Sequence, residues 1–503
     1  MAGAPLILAL DQGTTSSRAL AFDASGRVVA SAQQDFEQIF PDDGWVEHRP
    51  DDIWSTILQT ARTVMSDVAT AGLGEIVSIG ITNQRETVLI WDRRTGRAIG
   101  PALVWQDRRT AALCRTLEAD GHEALIRERT GLLIDPYFSA TKIAWLLDHV
   151  DGARAAAEAG HLAFGTVDSF LIWKLTGGRA HLTDETNASR TSLFNIHTGQ
   201  WDPDLLELFR VPASLLPEVR PSRADFGQTD PVLFGRALPI QAAAGDQQAA
   251  AFGQGCVDSG MAKSTYGTGC FLLVNTGETA RPSAHRLLTT RACRTGDAPV
   301  FALEGSIFIA GAVAQWLRDG VGLVGASSDT EALAAGLPDN GGVYLVPAFT
   351  GLGAPHWDSG ARGGIYGLTR QSGRAELVRA ALESVAYQTE DLFAALRADG
   401  VALDRIRVDG GMAANSWLMQ FISDIAGLPL ERPANLETTA LGAALLAGLE
   451  AGVWSDLDAV RNLAGPYAGF APDMEDAHRQ ALLREWDIAV RTTRYRASLQ
   501  AEA

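Results

Sequence analysis

Two aspartates, Asp11 and Asp246, stand beside glycines at the ends of apolar runs. Asp11 follows the run 6–10 and precedes Gly13, and Asp246 follows Gly245 and precedes an alanine-rich segment. A carboxylate beside backbone N–H groups and hydroxyls can hold a hard cation together with phosphate oxygens. The local sequence leaves a simpler interpretation open for each residue, a hairpin turn for Asp11 and a helix N-cap for Asp246.

The familiar phosphate and hydrolase motifs are missing from the sequence. It has no Gly-Lys dipeptide, which excludes a P-loop, and neither an HExxH nor a GxSxG motif. Its one GxGxxG, at 320–325, follows a helix-like segment instead of a strand, so we reject it as a dinucleotide site. The candidates that remain for phosphate binding are the hydroxyls of Thr14, Thr15 and Ser16 and the cation of Arg18.

Apolar runs and helical periodicity alternate along the chain, which predicts an α/β fold. The segment 6–22 predicts a strand, a polar turn over 11–17 and a second strand, and 52–68 and 376–396 predict helices. A similar Gly/Thr turn around Gly267 lies about half the chain length after Gly13. We therefore expect two similar domains, residues 1–250 and 251–503, that face each other across a catalytic cleft.

Composition excludes several classes of protein. The 503 residues carry a net charge of −18 with a pI near 4.9, which disfavours binding to nucleic acid or to an anionic membrane. The longest stretch of small apolar residues, 440–449, is about half the ~20 residues needed to span a bilayer. The four cysteines lack metal-ligand spacing and are typical of reduced thiols, so we expect a cytoplasmic protein with no membrane span.

Several longer strings together resemble the FGGY carbohydrate kinase family, and within it the members that act on glycerol. These strings cover nearly the whole chain and lie at residues 11–18, 44–48, 80–87, 134–139, 245–248, 266–271, 351–355 and 409–415, with two signature regions at 137–149 and 363–383. The resemblance implies two actin/hexokinase-like domains of the ribonuclease-H type. It also implies ATP-dependent phosphorylation of glycerol to sn-glycerol 3-phosphate with release of ADP, the entry step of glycerol catabolism, with ATP and Mg²⁺ required.

The resemblance also implies roles for individual residues. The N-terminal domain would hold the polyol and the phosphate turn, and the C-terminal domain the nucleotide. Glycerol would be bound by Arg85, Glu86, Trp105, Tyr137, Asp246, Gln247 and Phe271. The nucleotide would be bound by Thr14, Thr15, Ser16, Arg18, Thr268, Gly311, Gln315, Gly411 and Asn415. Asp11 and Asp246 would hold the metal, and Asp246 would be the catalytic base.

Two other functions remain open at this point. The first is a different kinase of the same family, acting on a pentulose or a related polyol, and the second is a non-enzymatic relative of actin and Hsp70, which would share the phosphate turns. The second would not need the polyol residues Arg85, Glu86, Tyr137, Asp246 and Gln247. ADP release with glycerol, compared with xylulose and ribulose, separates all three. Family members include dimers and tetramers, but the sequence shows no stripe to which a homo-oligomer interface can be assigned.

Overall fold

The computed structural model describes residues 3–501, which form two mixed β-sheets flanked by helices. The first, the N-sheet, has five strands. Their spatial order is Ile240–Gly245, Glu75–Asn83, Pro5–Gln12, Ser16–Phe22 and Val28–Asp35. The last three strands form an antiparallel meander, and the first two run parallel to Pro5–Gln12. The carboxyl ends of the three parallel strands therefore meet at one edge of the sheet.

The second sheet, the C-sheet, has seven strands and repeats this topology. Their order is Leu288–Arg291, Phe301–Ile307, Cys270–Gly277, Ala262–Tyr266, Ile406–Asp409, Leu430–Pro433 and Tyr467–Phe470. Ala262–Tyr266 opens an antiparallel meander on one side and has a parallel neighbour on the other, as Pro5–Gln12 does in the N-sheet. This confirms the α/β fold with two similar halves; the boundary near residue 250 stays a prediction.

Helices and short ribbons complete the chain. The α-helices are Pro50–Ala71, Ala111–Ala119, Glu123–Thr130, Ser139–His149, Ala153–Glu158, Val167–Leu175, Glu185–Ala188, Pro203–Leu208, Pro231–Phe234, Asp246–Gly253, Gly311–Gln315, Asp329–Ala335, Arg374–Ala398, Ser416–Ala426, Thr438–Glu450, Leu457–Leu463 and Asp476–Ala501. Short 3₁₀ turns lie at Ala213–Leu215 and Gly411–Ala414, and a π turn at Trp316–Gly320. Two-stranded ribbons pair Glu47–His48 with Ala102–Leu103, Leu89–Asp92 with Leu162–Gly165, Leu182–Asp184 with Glu218–Arg220, Phe194–Asn195 with Gln200–Trp201, and Tyr344–Val346 with Gly364–Tyr366.

The first polar turn is shorter than the sequence predicts. The strand Pro5–Gln12 continues through Asp11, and the next strand already begins at Ser16, so the turn is limited to residues 13–15. The reason is the strand register, which pairs Asp11 with Arg18 across the hairpin. The ladder hydrogen bonds of these polar residues outweigh their preference for turns.

The two halves share a core, because the helix Thr438–Glu450 crosses from the C-terminal half to pack on the N-sheet. Its small residues lie in one buried cluster with Ile7, Ala9 and Phe22. The contact is so close that a Cβ on Gly80 would clash with the carbonyl oxygen of Ala443. Such an approach needs glycine on the strand. One side of the N-sheet is therefore covered by a helix that lies far beyond residue 250 in the chain.

Within residues 3–501, no helix combines the length and the apolar composition that crossing a membrane would require. The four cysteines are all free thiols, and three of them are buried.

Candidate active site

The Asp11 turn presents hydroxyls at the edge of the N-sheet. The Gly13 N–H donates to the Ser16 carbonyl (3.0 Å), which closes the turn. Thr15 is exposed at its tip, and Thr14 and Ser16 are half-buried. The Thr14 hydroxyl accepts a hydrogen bond from the Trp105 indole Nε1 (2.9 Å). The structure thus connects the predicted phosphate turn to the predicted polyol pocket through one side-chain bond.

Arg18 is already paired in this structure. Its Nε and Nη2 donate to Asp11 Oδ2, and its Nη1 donates to Glu437 Oε2 (2.5 Å) from the C-terminal half. These carboxylates raise the pKa of Arg18 above its ordinary value, so the guanidinium is permanently charged. Its predicted contact with phosphate would require a rearrangement of these pairs, and that contact stays a prediction.

Asp246 is the first residue of the helix Asp246–Gly253, and it does not cap that helix. The N-cap position is Gly245, and Asp246 Oδ1 accepts only from the neighbouring Gln247 N–H (2.7 Å). The same Oδ1 lies 3.3 Å from Arg85 Nε, and the side chain is 30 % exposed. Burial raises the pKa of Asp246 to about 6, against the opposing effect of Arg85. A carboxylate with these properties can accept a proton near neutral pH.

The predicted polyol residues lie together beside Asp246. Arg85 and Glu86 follow the strand Glu75–Asn83 and are buried, and Glu86 holds a positive φ of 60°. Arg85 Nη2 lies 3.4 Å from the Tyr137 hydroxyl. Trp105 packs edge-on against both Tyr137 and Phe271, with centroids 5.7 and 6.0 Å apart. The site combines charged groups with an aromatic wall, which suits a small molecule that has hydroxyls and a carbon face.

Gln247 is buried, and its side-chain oxygen already has a hydrogen-bond partner. Its Oε1 accepts a hydrogen bond from Lys263 Nζ, which also donates to Thr265 Oγ1 (2.8 Å). Burial lowers the pKa of the Lys263 ammonium, and Asp246 is among the carboxylates that oppose this shift. Gln247 thus links the Asp246 helix to a buried lysine of the C-sheet.

Three buried charged residues of this region, Glu304, Arg190 and Lys263, were missed by the sequence analysis. Glu304 pairs with Arg85 (Nη1 to Oε2, 2.5 Å) and with Arg190 (Nη2 to Oε1, 2.8 Å). Arg190 Nε also donates to Glu86 Oε1 (2.6 Å). The one signal in the sequence is a charged residue inside an otherwise apolar strand segment, such as Glu304 in residues 301–307.

The predicted nucleotide residues line one cavity of about 500 Å³ in the C-terminal half. Thr268, Gly311, Gln315, Gly411 and Asn415 all contribute to its surface, together with the apolar Leu382 and Met412. The Gly311 N–H donates to the Gly267 carbonyl (2.8 Å), which fixes the turn against the helix Gly311–Gln315. Asn415 caps the helix Ser416–Ala426 through Oδ1 (2.8 Å to Leu418 N). The structure therefore brings this half of the prediction together in one place.

The candidate metal residues lie at the same edge of the N-sheet. Asp11 pairs in register with Thr82, and Thr82 with Ala244, two residues before Asp246. Among residues 3–501 there is no cluster of three or more His, Cys, Asp or Glu side chains arranged to hold a metal ion. A cation here would have one or two carboxylate ligands.

Comparisons with known proteins match nearly the whole chain. The model of the FGGY family of carbohydrate kinases, N-terminal domain, matches residues 6–253, and that of its C-terminal domain matches residues 262–451. A glycerol kinase of Rhodospirillum centenum is 63 % identical over 97 % of this chain and 98 % of that protein. Glycerol kinase 1 of Pseudomonas aeruginosa is 57 % identical over 98 % of this chain and 99 % of that protein.

Among solved structures, Plasmodium falciparum glycerol kinase with ADP is similar at a TM-score of 0.91, with 38 % identity over 98 % of this chain and 99 % of that one. A xylulose kinase of Lactobacillus acidophilus has the same fold at a TM-score of 0.84, with 21 % identity over 97 % of each chain. The two matched domain models, the full-length relatives and the repeated sheet topology lead to one conclusion: this chain belongs to the FGGY family of carbohydrate kinases.

Proposed function

We propose that the protein is an ATP-dependent glycerol kinase, which transfers the γ-phosphoryl group of ATP to a terminal hydroxyl of glycerol and releases sn-glycerol 3-phosphate and ADP. The observation that carries the proposal is the position of Asp246. Its carboxylate lies 3.3 Å from Arg85 Nε and is partly open to solvent, so a proton acceptor stands directly beside the polyol residues. The full-length similarity to glycerol kinases supports the choice of glycerol among the substrates of the family.

Glycerol recognition would use the groups of this cluster that still have hydrogen-bonding capacity. Glu86 uses only Oε1 to bind Arg190, so Oε2 can accept a hydrogen bond from a substrate hydroxyl. The Nη2 atom of Arg85 donates to Glu304 Oε1 (3.2 Å) and makes a longer contact of 3.4 Å with the Tyr137 hydroxyl, and a substrate hydroxyl can replace the longer contact. Hydrogen bonds to charged groups are the stronger kind, and Trp105 and Phe271 would cover the carbon face of the triol.

The chemical step would begin with proton transfer from the terminal hydroxyl of glycerol to a carboxylate oxygen of Asp246. The oxygen then forms its bond to the γ-phosphorus in line with the bond to the β–γ bridging oxygen, which breaks as ADP leaves. The hydroxyls of Thr14, Thr15 and Ser16 would bind the phosphates. The adenosine part would occupy the cavity lined by Gly311, Gln315, Gly411 and Asn415, and Thr268 would stand at the turn between cavity and phosphates.

A magnesium ion suits the donors present. Asp246 and Asp11 each engage only one carboxylate oxygen in protein contacts, Oδ1 of Asp246 with Gln247 and Arg85 and Oδ2 of Asp11 with Arg18, so each has a second oxygen that can bind a cation. Mg²⁺ commonly takes one or two carboxylates, waters and substrate phosphates, so these residues fit that pattern. When bound, the ion supplies charge neutralisation for the β- and γ-phosphates. The placement of Asp11 and Asp246 as its ligands is part of the proposal.

The cytoplasmic location and the assembly into a dimer or tetramer belong to the proposal as well. A kinase that consumes ATP needs the nucleotide pool of the cytoplasm, and four free thiols are compatible with a reducing compartment.

The test is coupled ADP release by the purified protein with glycerol, xylulose and ribulose as acceptors, at saturating ATP and Mg²⁺. We expect turnover with glycerol and a kcat/KM at least 100-fold lower with either pentulose, because a hydroxyl that finds no partner in a site built for paired polar groups is strongly rejected. Faster turnover with a pentulose would identify the other kinase, and no turnover with any acceptor would favour a non-enzymatic relative.

A further inference from the structure

Four charged side chains form a closed, buried network behind the polyol pocket. Arg85, Glu86, Arg190 and Glu304 are each at most 2 % exposed. Glu304 receives hydrogen bonds from Arg85 through both oxygens and from Arg190 through Oε1, and Arg190 also binds Glu86. Two positive and two negative charges balance, so the network as a whole is neutral.

The network engages most of the donors of Arg85. Its Nη1 binds Glu304 Oε2 (2.5 Å) and contacts Gln248 Oε1 (3.3 Å), and its Nη2 binds Glu304 Oε1 (3.2 Å). Since a guanidinium is a rigid planar fork, this bidentate pair fixes the plane in which the remaining donors of Arg85 point. Those donors face Tyr137 and Asp246.

Arg190 orients the Glu86 carboxylate as Glu304 orients Arg85. It binds one oxygen of Glu86 through Nε at 2.6 Å, and its plane lies over the rings of Tyr137 and Phe138 at 5.7 and 5.4 Å. Glu86 itself holds a positive φ of 60°, which a non-glycine residue adopts only at a cost in conformational energy. A strong partner is therefore needed to keep the Glu86 carboxylate in one orientation.

The network also joins the two halves of the molecule. Glu304 lies on the strand Phe301–Ile307 of the C-sheet, whereas Arg85 and Glu86 follow a strand of the N-sheet and Arg190 follows the helix Glu185–Ala188. The polyol residues of one half are thus held by a carboxylate of the other half.

We infer that Glu304 and Arg190 are positioning residues for the polyol: they orient Arg85 and Glu86 across the boundary between the two halves and thereby set the affinity for the acceptor and not for the nucleotide. This inference rests on the proposed function and extends it to two buried residues that bind Arg85 and Glu86. Removing one partner of a buried ion pair is also destabilising, so the positioning role must be tested by kinetic parameters and not by stability alone.

The principal test is Glu304→Gln, which keeps the shape of the side chain and removes its charge. We expect KM for glycerol to rise about 10- to 100-fold, since the guanidinium of Arg85 loses its charged bidentate partner, while kcat falls less than about fivefold. The Kd for ATP, measured by calorimetry without glycerol, should stay within about twofold of the wild-type value. Arg190→Lys should also raise KM for glycerol, because a lysine ammonium cannot bridge Glu86 and Glu304 as the planar guanidinium does.

A double-mutant cycle separates positioning from general damage. If Glu304 acts through Arg85, Glu304→Gln should change KM for glycerol by less than about threefold in an Arg85→Gln background. Glu304→Asp, which restores the charge one methylene shorter, should recover part of the lost affinity.

The matched control is Glu383→Gln. Glu383 is also buried, and it binds a buried arginine, Arg379, at 2.7 Å within the helix Arg374–Ala398. This variant should match the change in melting temperature of Glu304→Gln and leave KM for glycerol within about twofold of the wild-type value.

The inference is overturned if Glu304→Gln and Arg190→Lys both fold and keep KM for glycerol within about threefold, or if ATP affinity falls as much as glycerol affinity. It is also overturned if the effects of Glu304→Gln and Arg85→Gln simply add. If Glu304→Gln does not fold, KM for glycerol and the Kd for ATP of Arg190→Lys and Glu304→Asp test the inference instead. A wild-type protein that phosphorylates no glycerol would instead refute the proposed function, so the two failures are distinguishable.

Discussion

The proposed polyol site and the proposed nucleotide cavity differ in the kind of side chains that line them. Around the polyol site the side chains are charged, buried and paired, with Glu304 held between two guanidiniums. The nucleotide cavity is lined instead by glycines, amides, hydroxyls and the apolar Leu382 and Met412, with Glu331 as its one charged lining residue among those described. Glu331 accepts hydrogen bonds from the backbone of Ser416 and Trp417, so it is engaged with the fold.

Under the proposed function, this difference follows from the size of the two ligands. A triol offers only three hydroxyls, so a site must make each hydrogen bond strong, and desolvated charges do this best. Burial alone would raise the pKa of Glu304, but Arg190 and Arg85 lower it to about 2, and the network stays ionised. A nucleotide offers a large surface. An open cavity in which glycines let the backbone come close to the ligand is sufficient for it.

The largest effect in this comparison is expected for Asp246→Asn. Asparagine keeps the hydrogen bond to Gln247 N–H but cannot accept the substrate proton, so kcat should fall by about 10²- to 10⁴-fold. Steady-state kinetics measure kcat, and calorimetry should show that ATP still binds. A variant that keeps more than about a tenth of the wild-type kcat would contradict the assignment of the base.

Arg85→Gln should produce the next largest effect. Loss of a charged donor to the polyol is worth about 1.5–3 kcal/mol, or roughly 10- to 150-fold in kcat/KM for glycerol. ATP affinity should hardly change, because Arg85 lies outside the nucleotide cavity. If the variant lost ATP affinity and kept its glycerol affinity, Arg85 would belong to the phosphate site.

The pH dependence of the same region should reveal Asp246. Its pKa is raised to about 6, so the carboxylate is ionised and active above that pH and is protonated below it. We expect kcat/KM for glycerol to fall about tenfold for each pH unit below 6, with the fold intact by circular dichroism at pH 5. A profile that is flat between pH 5 and 8 would rule out Asp246 as the titrating base.

The smallest effect is expected on the nucleotide side. A Cβ on Gly411 would meet no atom within 4 Å, so Gly411→Ala should fold normally and reduce only the space available to the nucleotide. We expect KM for ATP to rise about fivefold with KM for glycerol unchanged, which corresponds to about 1 kcal/mol. Gly311→Ala is the contrasting variant, because its Cβ would clash with the Gly267 carbonyl and so disturb the turn itself. An unchanged KM for ATP in Gly411→Ala would place the nucleotide elsewhere.

The sequence alone determined the local elements and the chemistry of their ends. The strand–turn–strand pattern at 6–22, the Gly/Thr turn around Gly267 and the helical periodicity at 52–68 and 376–396 depend on neighbours within a few residues. The structure has these elements with shifted ends. Asp11 and Asp246 could be named from their local motifs, whereas the nucleotide residues were implied only by the resemblance to the family. The exact turn at 13–15 could not, because it depends on the register between two strands.

Only the tertiary structure decided which charges meet. Glu304 and Arg190 are 114 residues apart in the chain. Arg190 is 104 residues from Glu86, and Glu304 is 219 residues from Arg85. Their pairing follows from the packing of two sheets from different halves, and no local pattern encodes it. The helix Thr438–Glu450 shows the same limit, since nothing in its small apolar residues 440–449 indicates that it packs on the N-sheet. Burial then makes each such charge costly without its partner, which is why long-range packing, more than motif, fixes the geometry of this site.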